Sequence, residues 1–183
     1  MNKILLIVTG SIAASRCKEI VTLLNINKVK ISCVLTKEAK KYTKISDLKK
    51  LLKNRIFTDE DEKKNKMLHI NLSRDNDIIV VCPATANSIA KFANGYGDNL
   101  ASNTLLAANK KILFVPAMNS FMWHNKIIQK NVRLLKDSGY EFIGPKVGNL
   151  KCGEFGLGRI DNSKNIVNRI LNRLDNINLL KNK

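Results

Sequence analysis

The amino-acid sequence predicts a single doubly wound α/β domain, built on a parallel sheet of the Rossmann-like or flavodoxin-like type. Three observations lead to this prediction: short apolar runs, helix-like segments that alternate with them, and a length of 183 residues with 44% hydrophobic content. A chain of this length can bury one substantial core and is short for two ordinary domains. Residues 1–183 are therefore expected to form one domain.

The strands are predicted from four short runs that are almost continuously apolar and rich in Ile and Val. Runs of this kind are typical of strands buried on both faces, as they are in parallel sheets. The predicted strands are residues 4–8, 30–35, 77–82 and 111–115. The first run is shorter than the apolar core of a signal peptide, so it is interpreted as a strand.

Helix-like segments separate and follow these runs. The predicted helices are residues 13–24, 47–52, 86–92, 99–108, 126–137 and 163–180. The last of them places its apolar residues on one stripe of a helix. By contrast, residues 59–66 are so highly charged that we expect a mobile loop or flap there.

The alternation of strands and helices favours a doubly wound sheet, in which ligands bind beyond the carboxyl ends of the strands. The loops that follow the four predicted strands are therefore expected to converge on one site. These loops begin at Thr9, Thr36, Pro83 and Pro116.

Composition excludes several classes of function. The net charge of +17 comes from 32 basic and 15 acidic residues spread along the chain. No basic patch is interleaved with aromatic residues, so nucleic acid is not an expected partner. No segment is long and apolar enough to span a membrane. The four cysteines show neither metal-ligand nor disulfide spacing, so no metal site is predicted and a reducing, cytoplasmic location is expected.

The loop after the first predicted strand has the sequence TGSIAAS, residues 9–15. Small residues there expose backbone N–H groups at a helix N-terminus, where a phosphate is stabilised. The chain has no GxGxxG dinucleotide fingerprint and no P-loop. The second strand is followed by Thr36 and Lys37, without the acidic residue that would hold an NAD ribose. The loop remains compatible with the phosphate of a mononucleotide such as FMN. Its composition alone does not establish a phosphate site, because any tight β–α turn has similar residues.

Two later loops carry more specific motifs. Residues 82–88, CPATANS, place hydroxyl and amide groups at a helix start, either as a polar cradle or as simple helix caps. Residues 116–123 have the sequence PAMNSFMW. Together with TGSIAAS, with Thr58-Asp59, with HINL at residues 69–72 and with the Gly-rich residues 148–159, these motifs resemble those of the flavin-containing cysteine decarboxylases. The resemblance extends from residue 4 to about residue 170.

The resemblance implies FMN as the cofactor and gives roles to individual residues. The implied cofactor-binding residues are Gly10, Ser11, Ile12, Thr36, Thr85, Ala86, Asn87, Ser88 and Met118. The implied catalytic residues are His69, Asn119 and Cys152. In these roles Asn119 binds the substrate carboxylate, His69 acts at the carboxylate or thiol end, and Cys152 protonates an enethiolate intermediate.

The surroundings of the cysteines agree with such a role for only one of them. Cys152 lies beside a glycine in a Gly-rich segment and is expected to be accessible, whereas Cys33 and Cys82 lie in or at the end of apolar strands and are expected to be inert. Lys151 departs from the family, which often has a small residue before this cysteine. Lys151 and Asn119 are both candidate substrate-binding residues. Lys151 could contact a phosphate or could simply be exposed.

The resemblance favours one function over two alternatives. The favoured reaction is FMN-dependent decarboxylation of 4′-phosphopantothenoylcysteine to 4′-phosphopantetheine, in coenzyme A synthesis. A peptidyl-cysteine decarboxylase stops at the enethiol product and does not need Cys152. A non-catalytic flavoprotein that serves as a regulatory subunit does not need the combination of His69, Asn119 and Cys152.

Two expectations concern partners. The resemblance implies a homo-oligomer, a trimer or a multiple of three, whose active sites lie at subunit interfaces. Because the chain ends at Lys183, no fused ligase domain is expected, and a separate phosphopantothenate–cysteine ligase would supply the substrate.

Overall fold

A six-stranded parallel sheet forms the centre of the protein, as seen in a computed structural model that describes residues 1–53 and 55–181. Its strands are β1 Lys3–Val8, β2 Lys30–Leu35, β3 Ile56–Phe57, β4 Ile78–Ala84, β5 Lys111–Pro116 and β6 Glu141–Phe142. They lie in the order β3-β2-β1-β4-β5-β6. Asn54 and residues 182–183 of the predicted domain lie outside the described residues. The predicted doubly wound fold is confirmed.

The central strands are buried on both faces, as their composition predicts. In β1, Leu6 and Val8 belong to the core on one face of the sheet, and Leu5 and Ile7 belong to the core on the other. All four predicted strands are present in this sheet, and its two short edge strands, β3 and β6, were not predicted.

Nine helices cover the sheet or its edges within the described residues. They are α1 Cys17–Ile26, α2 Ile45–Leu52, α3 Asp59–Lys64, α4 Leu68–Arg74, α5 Ala86–Ala93, α6 Leu100–Leu106, α7 Ser120–His124, α8 Lys126–Asp137 and α9 Ser163–Lys181. Two 3-10 turns, Ile12–Arg16 and Glu38–Lys41, follow β1 and β2. The six predicted helices are confirmed with small shifts at their ends, except that the first begins as a 3-10 turn. None of the described helices meets the length and hydrophobicity needed to cross a membrane.

The prediction of a mobile loop at residues 59–66 is wrong, because helix α3 occupies most of that segment. Thr58 and Asp61 form a capping box, in which the Thr58 backbone N–H donates to Asp61 Oδ2 at 2.8 Å. The acidic residues lie in the first turn and the lysines in the last, which is the distribution that complements a helix dipole. The charge that suggested a loop is therefore favourable to a helix.

The Gly-rich residues 148–159 form most of an antiparallel hairpin. Its strands are β7 Lys146–Asn149 and β8 Phe155–Arg159. The Met118 backbone N–H donates to Gly158 O at 3.0 Å, which attaches the hairpin to the loop after β5. A Cβ atom on Gly158 would lie 2.3 Å from Met118 O, and one on Gly156 would lie 2.5 Å from Ser120 Oγ. Glycine at these positions therefore permits the close contact between hairpin and loop.

The switch point of the sheet lies between β1 and β4, because the chain builds outward from β1 in one direction and then resumes at β4 in the other. The Thr9 hydroxyl donates to Pro83 O at 2.7 Å, and the Thr85 backbone N–H donates to Thr9 Oγ1 at 3.3 Å. These bonds join the ends of the two strands at the position where doubly wound proteins bind ligands.

Candidate functional site

Two adjoining cavities lie at the carboxyl edge of the sheet. The first, the switch-point cavity, has a volume of about 510 Å³ and lies between the loops after β1, β2, β4 and β5. Eight of the nine predicted cofactor residues line it: Gly10, Ser11, Thr36, Thr85, Ala86, Asn87, Ser88 and Met118. The ninth, Ile12, lines the second cavity, which also shares Ser11, Ala117 and Met118 with the first.

The polar residues of the switch-point cavity are held by caps and strand-end hydrogen bonds. Ser11 caps the first 3-10 turn by accepting from the Ala13 backbone N–H at 3.2 Å. Thr85 caps α5 by accepting from the Ser88 backbone N–H at 3.2 Å, and thus serves as a helix cap as well as a cavity residue. These contacts fix hydroxyl groups and a helix start around one end of the cavity.

Gly10 allows two walls of the cavity to approach each other. A Cβ atom at this position would lie 2.4 Å from Glu38 Cβ and 3.2 Å from the Glu38 carbonyl carbon. Real Cβ atoms do not approach other atoms as closely as 2.4 Å, so a larger residue would push the turn after β2 outward. The glycine of TGSIAAS is therefore required by packing inside the cavity, in addition to any contact with a ligand.

The cavity combines apolar walls with grouped polar donors. Ile7, Phe92, Leu105 and Met122 are among its apolar lining residues. Lys91 is hydrogen-bonded to Asp98, which holds the pKa of that carboxyl below its usual value. Apolar side chains suit a flat ring system, and hydroxyl and backbone N–H groups suit one phosphate. The residues present fit a mononucleotide.

The second cavity, the hairpin cavity, has a volume of about 640 Å³ and lies between the first 3-10 turn, the loop after β5 and the hairpin. Three predicted site residues line it: Asn119, Lys151 and Cys152. The Asn119 side-chain amide lies 3.5 Å from Cys152 Sγ, although the two residues are far apart in the sequence. The fold therefore brings together two of the three predicted catalytic residues.

Asn119 is fixed at its oxygen and directs its amide toward an anion. Its Oδ1 accepts from the backbone N–H groups of Phe121 at 2.8 Å and Met122 at 3.3 Å, which caps α7. Its Nδ2 donates to the Glu154 carboxylate. The amide thus already contacts a carboxylate, which is the group that the predicted role of Asn119 requires it to bind.

His69 is not among the described residues that line either cavity. Glu62 on α3 holds it in two ways: one carboxylate oxygen contacts the ring Nδ1, and the other accepts from the His69 backbone N–H at 3.1 Å. Both side chains are largely buried, with 24% of His69 and 18% of Glu62 exposed. This arrangement fixes the ring orientation and leaves Nε2 as the nitrogen opposite the carboxylate.

Cys152 is accessible, and Cys33 and Cys82 are buried, as predicted from the sequence. Cys17, Cys33 and Cys82 are buried, and only Cys152 is exposed. Burial raises the pKa of the Cys33 thiol well above its usual value, and the hydrogen bond to Cys17 together with burial raises the pKa of Cys82. These two thiols stay protonated in the core, which leaves Cys152 as the thiol that a ligand can reach.

Several residues near the site were missed from the sequence. Asp59 lines the switch-point cavity and accepts from the Leu100 backbone N–H at 2.9 Å, which connects α3 to α6. Glu62, Glu154, Arg16 and Arg159 were also not singled out. Asp59 follows Thr58 in a recognised motif, and this was the one available signal. For Glu62 and Glu154, the signal is missing because their contacts with His69 and Asn119 depend on how separate elements pack.

The strand order and the cavity at the switch point define a doubly wound α/β protein with a ligand site of the kind that mononucleotides occupy. The chain belongs to the Flavoprotein family, whose model matches residues 1–175.

Curated relatives include a protein of similar length and a longer one. The probable phosphopantothenoylcysteine decarboxylase of Streptococcus mutans is 34% identical over 177 residues, which cover 94% of this chain and 99% of that protein. The coenzyme A biosynthesis bifunctional protein CoaBC of Bacillus subtilis is 34% identical over 168 residues, which cover 91% of this chain and 41% of that protein. The chain therefore spans less than half the length of this bifunctional relative.

Solved structures with the same fold include decarboxylases of two kinds. A cysteine-to-serine mutant of PPC decarboxylase complexed with pantothenoylaminoethenethiol has a TM-score of 0.89 and 28% identity, and the match covers 95% of this chain and 98% of that one. The FMN binding protein AtHal3 has a TM-score of 0.83 and 29% identity, with 92% and 94% covered. The peptidyl-cysteine decarboxylase EpiD has a TM-score of 0.79 and 29% identity, with 93% and 99% covered.

The contact between Glu62 and His69 generates the first prediction. Glu62→Ala removes both acceptors, so the His69 ring is expected to lose its fixed orientation and its ring nitrogen signals are expected to move in long-range ¹H–¹⁵N NMR spectra. His124, the other of the two histidines, is the internal reference. Glu60→Ala is the matched control, because Glu60 lies on the same helix and its carboxylate pairs with Lys40 instead. Unchanged His69 signals in Glu62→Ala would contradict the contact.

Proposed function

We propose that this chain is an FMN-dependent decarboxylase that converts 4′-phosphopantothenoylcysteine to 4′-phosphopantetheine in coenzyme A biosynthesis. The observation that carries the proposal is the contact between Asn119 Nδ2 and Cys152 Sγ, which lie 3.5 Å apart. Both residues line the hairpin cavity, which adjoins the switch-point cavity. One of these residues suits a carboxylate and the other supplies a proton. Full-length similarity to the Streptococcus mutans relative, named for this activity, supports the same reaction.

FMN is the cofactor that suits the switch-point cavity. The Flavoprotein match supports a flavin, and a structural neighbour is named as an FMN binding protein. The cavity offers apolar walls for the ring system and one group of hydroxyl and backbone donors, around Ser11 and Ser88, for one phosphate. When bound, FMN supplies a reversible two-electron acceptor for the CH₂SH carbon of the substrate.

The chemistry of the substrate explains why such an acceptor is needed. Loss of CO₂ from a C-terminal cysteine would leave a carbanion that nothing stabilises. Once the thiol-bearing carbon is oxidised to a thioaldehyde, which lies β to the carboxylate, CO₂ can leave and the electron pair is delocalised as an enethiolate. The protein must then bind the carboxylate, move protons at the thiol end, and protonate the enethiolate during its reduction.

The three proposed catalytic residues divide these tasks. Asn119 binds the substrate carboxylate through the amide that Glu154 now occupies, so the substrate replaces the Glu154 carboxylate there. His69 acts at the carboxylate or thiol end, with its ring held by Glu62. Cys152 on the hairpin donates the proton to the enethiolate.

Cys152 also favours this reaction over the alternatives. The structural neighbour EpiD, named as a peptidyl-cysteine decarboxylase, has the same fold. A reaction that ends at the enethiol, as expected for a peptidyl-cysteine substrate, needs no proton donor at this position. A non-catalytic regulatory flavoprotein needs neither Cys152 nor the fixed His69. The cytoplasmic location and a ligase that supplies the substrate stay predictions within the same proposal.

A homo-oligomer, trimeric or a multiple of three, is part of the proposal. That His69 lines neither described cavity supports a site that a second copy completes. Large apolar side chains beside the hairpin cavity are exposed, with Phe121 at 79% and Phe155 at 72%. A subunit that covers these side chains and brings its His69 to the Asn119–Cys152 pair would complete the site.

The cofactor prediction is direct. The purified protein is expected to be yellow and to release FMN, not FAD, on denaturation, because the switch-point cavity has donors for one phosphate and the chain lacks the GxGxxG site for a pyrophosphate. Chromatography of the released cofactor distinguishes the two flavins. A colourless protein that takes up no added FMN would exclude the proposed function.

The catalytic residues are expected to differ in the step that each variant loses. His69→Asn and Asn119→Asp should lower the decarboxylation rate by roughly 10²- to 10⁴-fold while the FMN content is retained. Asn119→Asp keeps an oxygen to cap α7 but places a negative charge against the substrate carboxylate.

Cys152→Ser should instead release CO₂ and stop at the enethiol, because a hydroxyl is a far weaker acid than a thiol. Mass spectrometry should then find a product two hydrogens lighter than phosphopantetheine, and the flavin absorbance should stay bleached. Wild-type turnover to phosphopantetheine in Cys152→Ser would refute the proton-donor role and favour the peptidyl-cysteine alternative.

The oligomer prediction is tested by light scattering of the FMN-loaded protein, which is expected to give a mass of three subunits or a multiple of three. Phe121→Glu introduces a charge into the exposed apolar surface and should shift the mass toward that of one chain, with loss of activity. Ile26→Glu is the control, since Ile26 is also exposed, at 70%, but lies at the end of α1. A fully active monomer would show that no second copy contributes to the site.

A further inference from the structure

The two cavities differ in charge. The switch-point cavity is lined by two lysines, Lys37 and Lys91, and by two carboxylates, Glu38 and Asp59. The hairpin cavity is lined by three cations and, among its described lining residues, by no carboxylate, although the Glu154 carboxylate contacts the lining residue Asn119. The cations are Arg16, Lys151 and Arg159. Excess positive charge at this edge of the sheet is therefore concentrated in the hairpin cavity.

These cations come from two separate elements that face the same space. Arg16 ends the first 3-10 turn, whereas Lys151 and Arg159 belong to the hairpin segment. Within residues 1–53 and 55–181, neither Lys151 nor Arg159 forms an ion pair. Arg16 approaches Glu19 only at 3.8 Å, and that carboxylate accepts a hydrogen bond from Ser163 at 2.6 Å. The three charges are thus available to an anionic ligand.

We propose that Arg16, Lys151 and Arg159 form a subsite for a phosphate monoester dianion, which is the 4′-phosphate of the substrate. This inference rests on the proposed function. Ser11, Ser15 and Asn149 line the same cavity and supply neutral donors beside the cations. A guanidinium group can bind two phosphate oxygens at once. Three cations carry more positive charge than one carboxylate would need, and so they suit a dianion better.

The position of the subsite also separates two classes of substrate. The hairpin cavity contains the Asn119–Cys152 pair as well as the three cations, so a ligand can have its carboxylate at Asn119 and a second anionic group at the cations. Phosphopantothenoylcysteine carries both groups. A peptide that ends in cysteine carries the carboxylate but no phosphate. The cations therefore act as specificity-determining residues for a phosphorylated substrate.

The test measures binding and does not depend on turnover. Isothermal titration calorimetry of the FMN-loaded protein compares 4′-phosphopantetheine with pantetheine, which differ only by the phosphate. Wild type is expected to bind the phosphorylated compound at least tenfold more tightly. Each of three variants should reduce this preference by roughly tenfold, which is the loss expected for a charge-assisted hydrogen bond. If the wild-type preference is itself only about tenfold, each variant should abolish it. The variants are Arg16→Gln, Lys151→Gln and Arg159→Gln.

Two matched controls remove the same charge outside the cavity. Lys146→Gln lies on the same hairpin, and Lys18→Gln lies close to Arg16 in the sequence, where Lys18 pairs with Asp47. Both should keep the wild-type preference. If they reduce it as strongly as the cavity variants, general attraction by the net charge of +17 explains the binding and the subsite is refuted.

Two further outcomes would also overturn the subsite. Equal affinity of wild type for the two compounds excludes phosphate recognition. Loss of FMN in the cavity variants, with the phosphate preference unchanged, would show that the cations hold the cofactor phosphate instead. Decarboxylation is assayed separately. Phosphate-dependent binding without CO₂ release would refute the proposed function and leave the subsite in place. CO₂ release without a preference for the phosphorylated compound would refute the subsite and leave the decarboxylase function in place.

Discussion

The Thr9 hydroxyl, which donates to Pro83 O at 2.7 Å, is the contact on which the rest of the site depends. It joins the ends of β1 and β4 at the point where the direction of chain building reverses. The connections that follow β1 and β4 run to opposite sides of the sheet, so a cleft opens between them. The same oxygen accepts from the Thr85 backbone N–H and so fixes the start of α5 against β1. The Thr9 side chain therefore fixes the positions of both walls of the switch-point cavity relative to each other.

The hairpin extends this arrangement by a second close contact. Gly158 lies against the Met118 carbonyl, which lets the loop after β5 serve both cavities at once. Met118 lines both cavities, while the next residue, Asn119, lines only the hairpin cavity. A short stretch of backbone therefore separates the proposed flavin site from the proposed substrate site. Its position is determined by the hydrogen bond between hairpin and loop.

The sequence predicts most of the sheet because its strands are buried on both faces and are therefore almost continuously apolar. Short edge strands such as Ile56–Phe57 have too few residues to produce that signal. Helix α3 was misread because charge alone does not distinguish a loop from a helix whose acidic and basic residues suit its dipole. The cofactor residues follow from local motifs, and eight of nine line one cavity. The partners Glu62 and Glu154 could not be predicted, because each reaches its target only through the folded arrangement of separate segments.

The uneven burial of the thiols has a consequence for the lifetime of the protein. Cys17, Cys33 and Cys82 are buried in the core, so Cys152 is the thiol that peroxide and electrophiles in solution can reach. Oxidation of cysteine would therefore be confined to the tip of the hairpin, outside the packed core. In the proposed role of Cys152, an oxidised molecule would keep its fold and its cofactor, and would still release CO₂ while failing to complete the reaction. Such molecules would be hard to distinguish from intact ones by stability, and quality control that senses unfolding would not remove them.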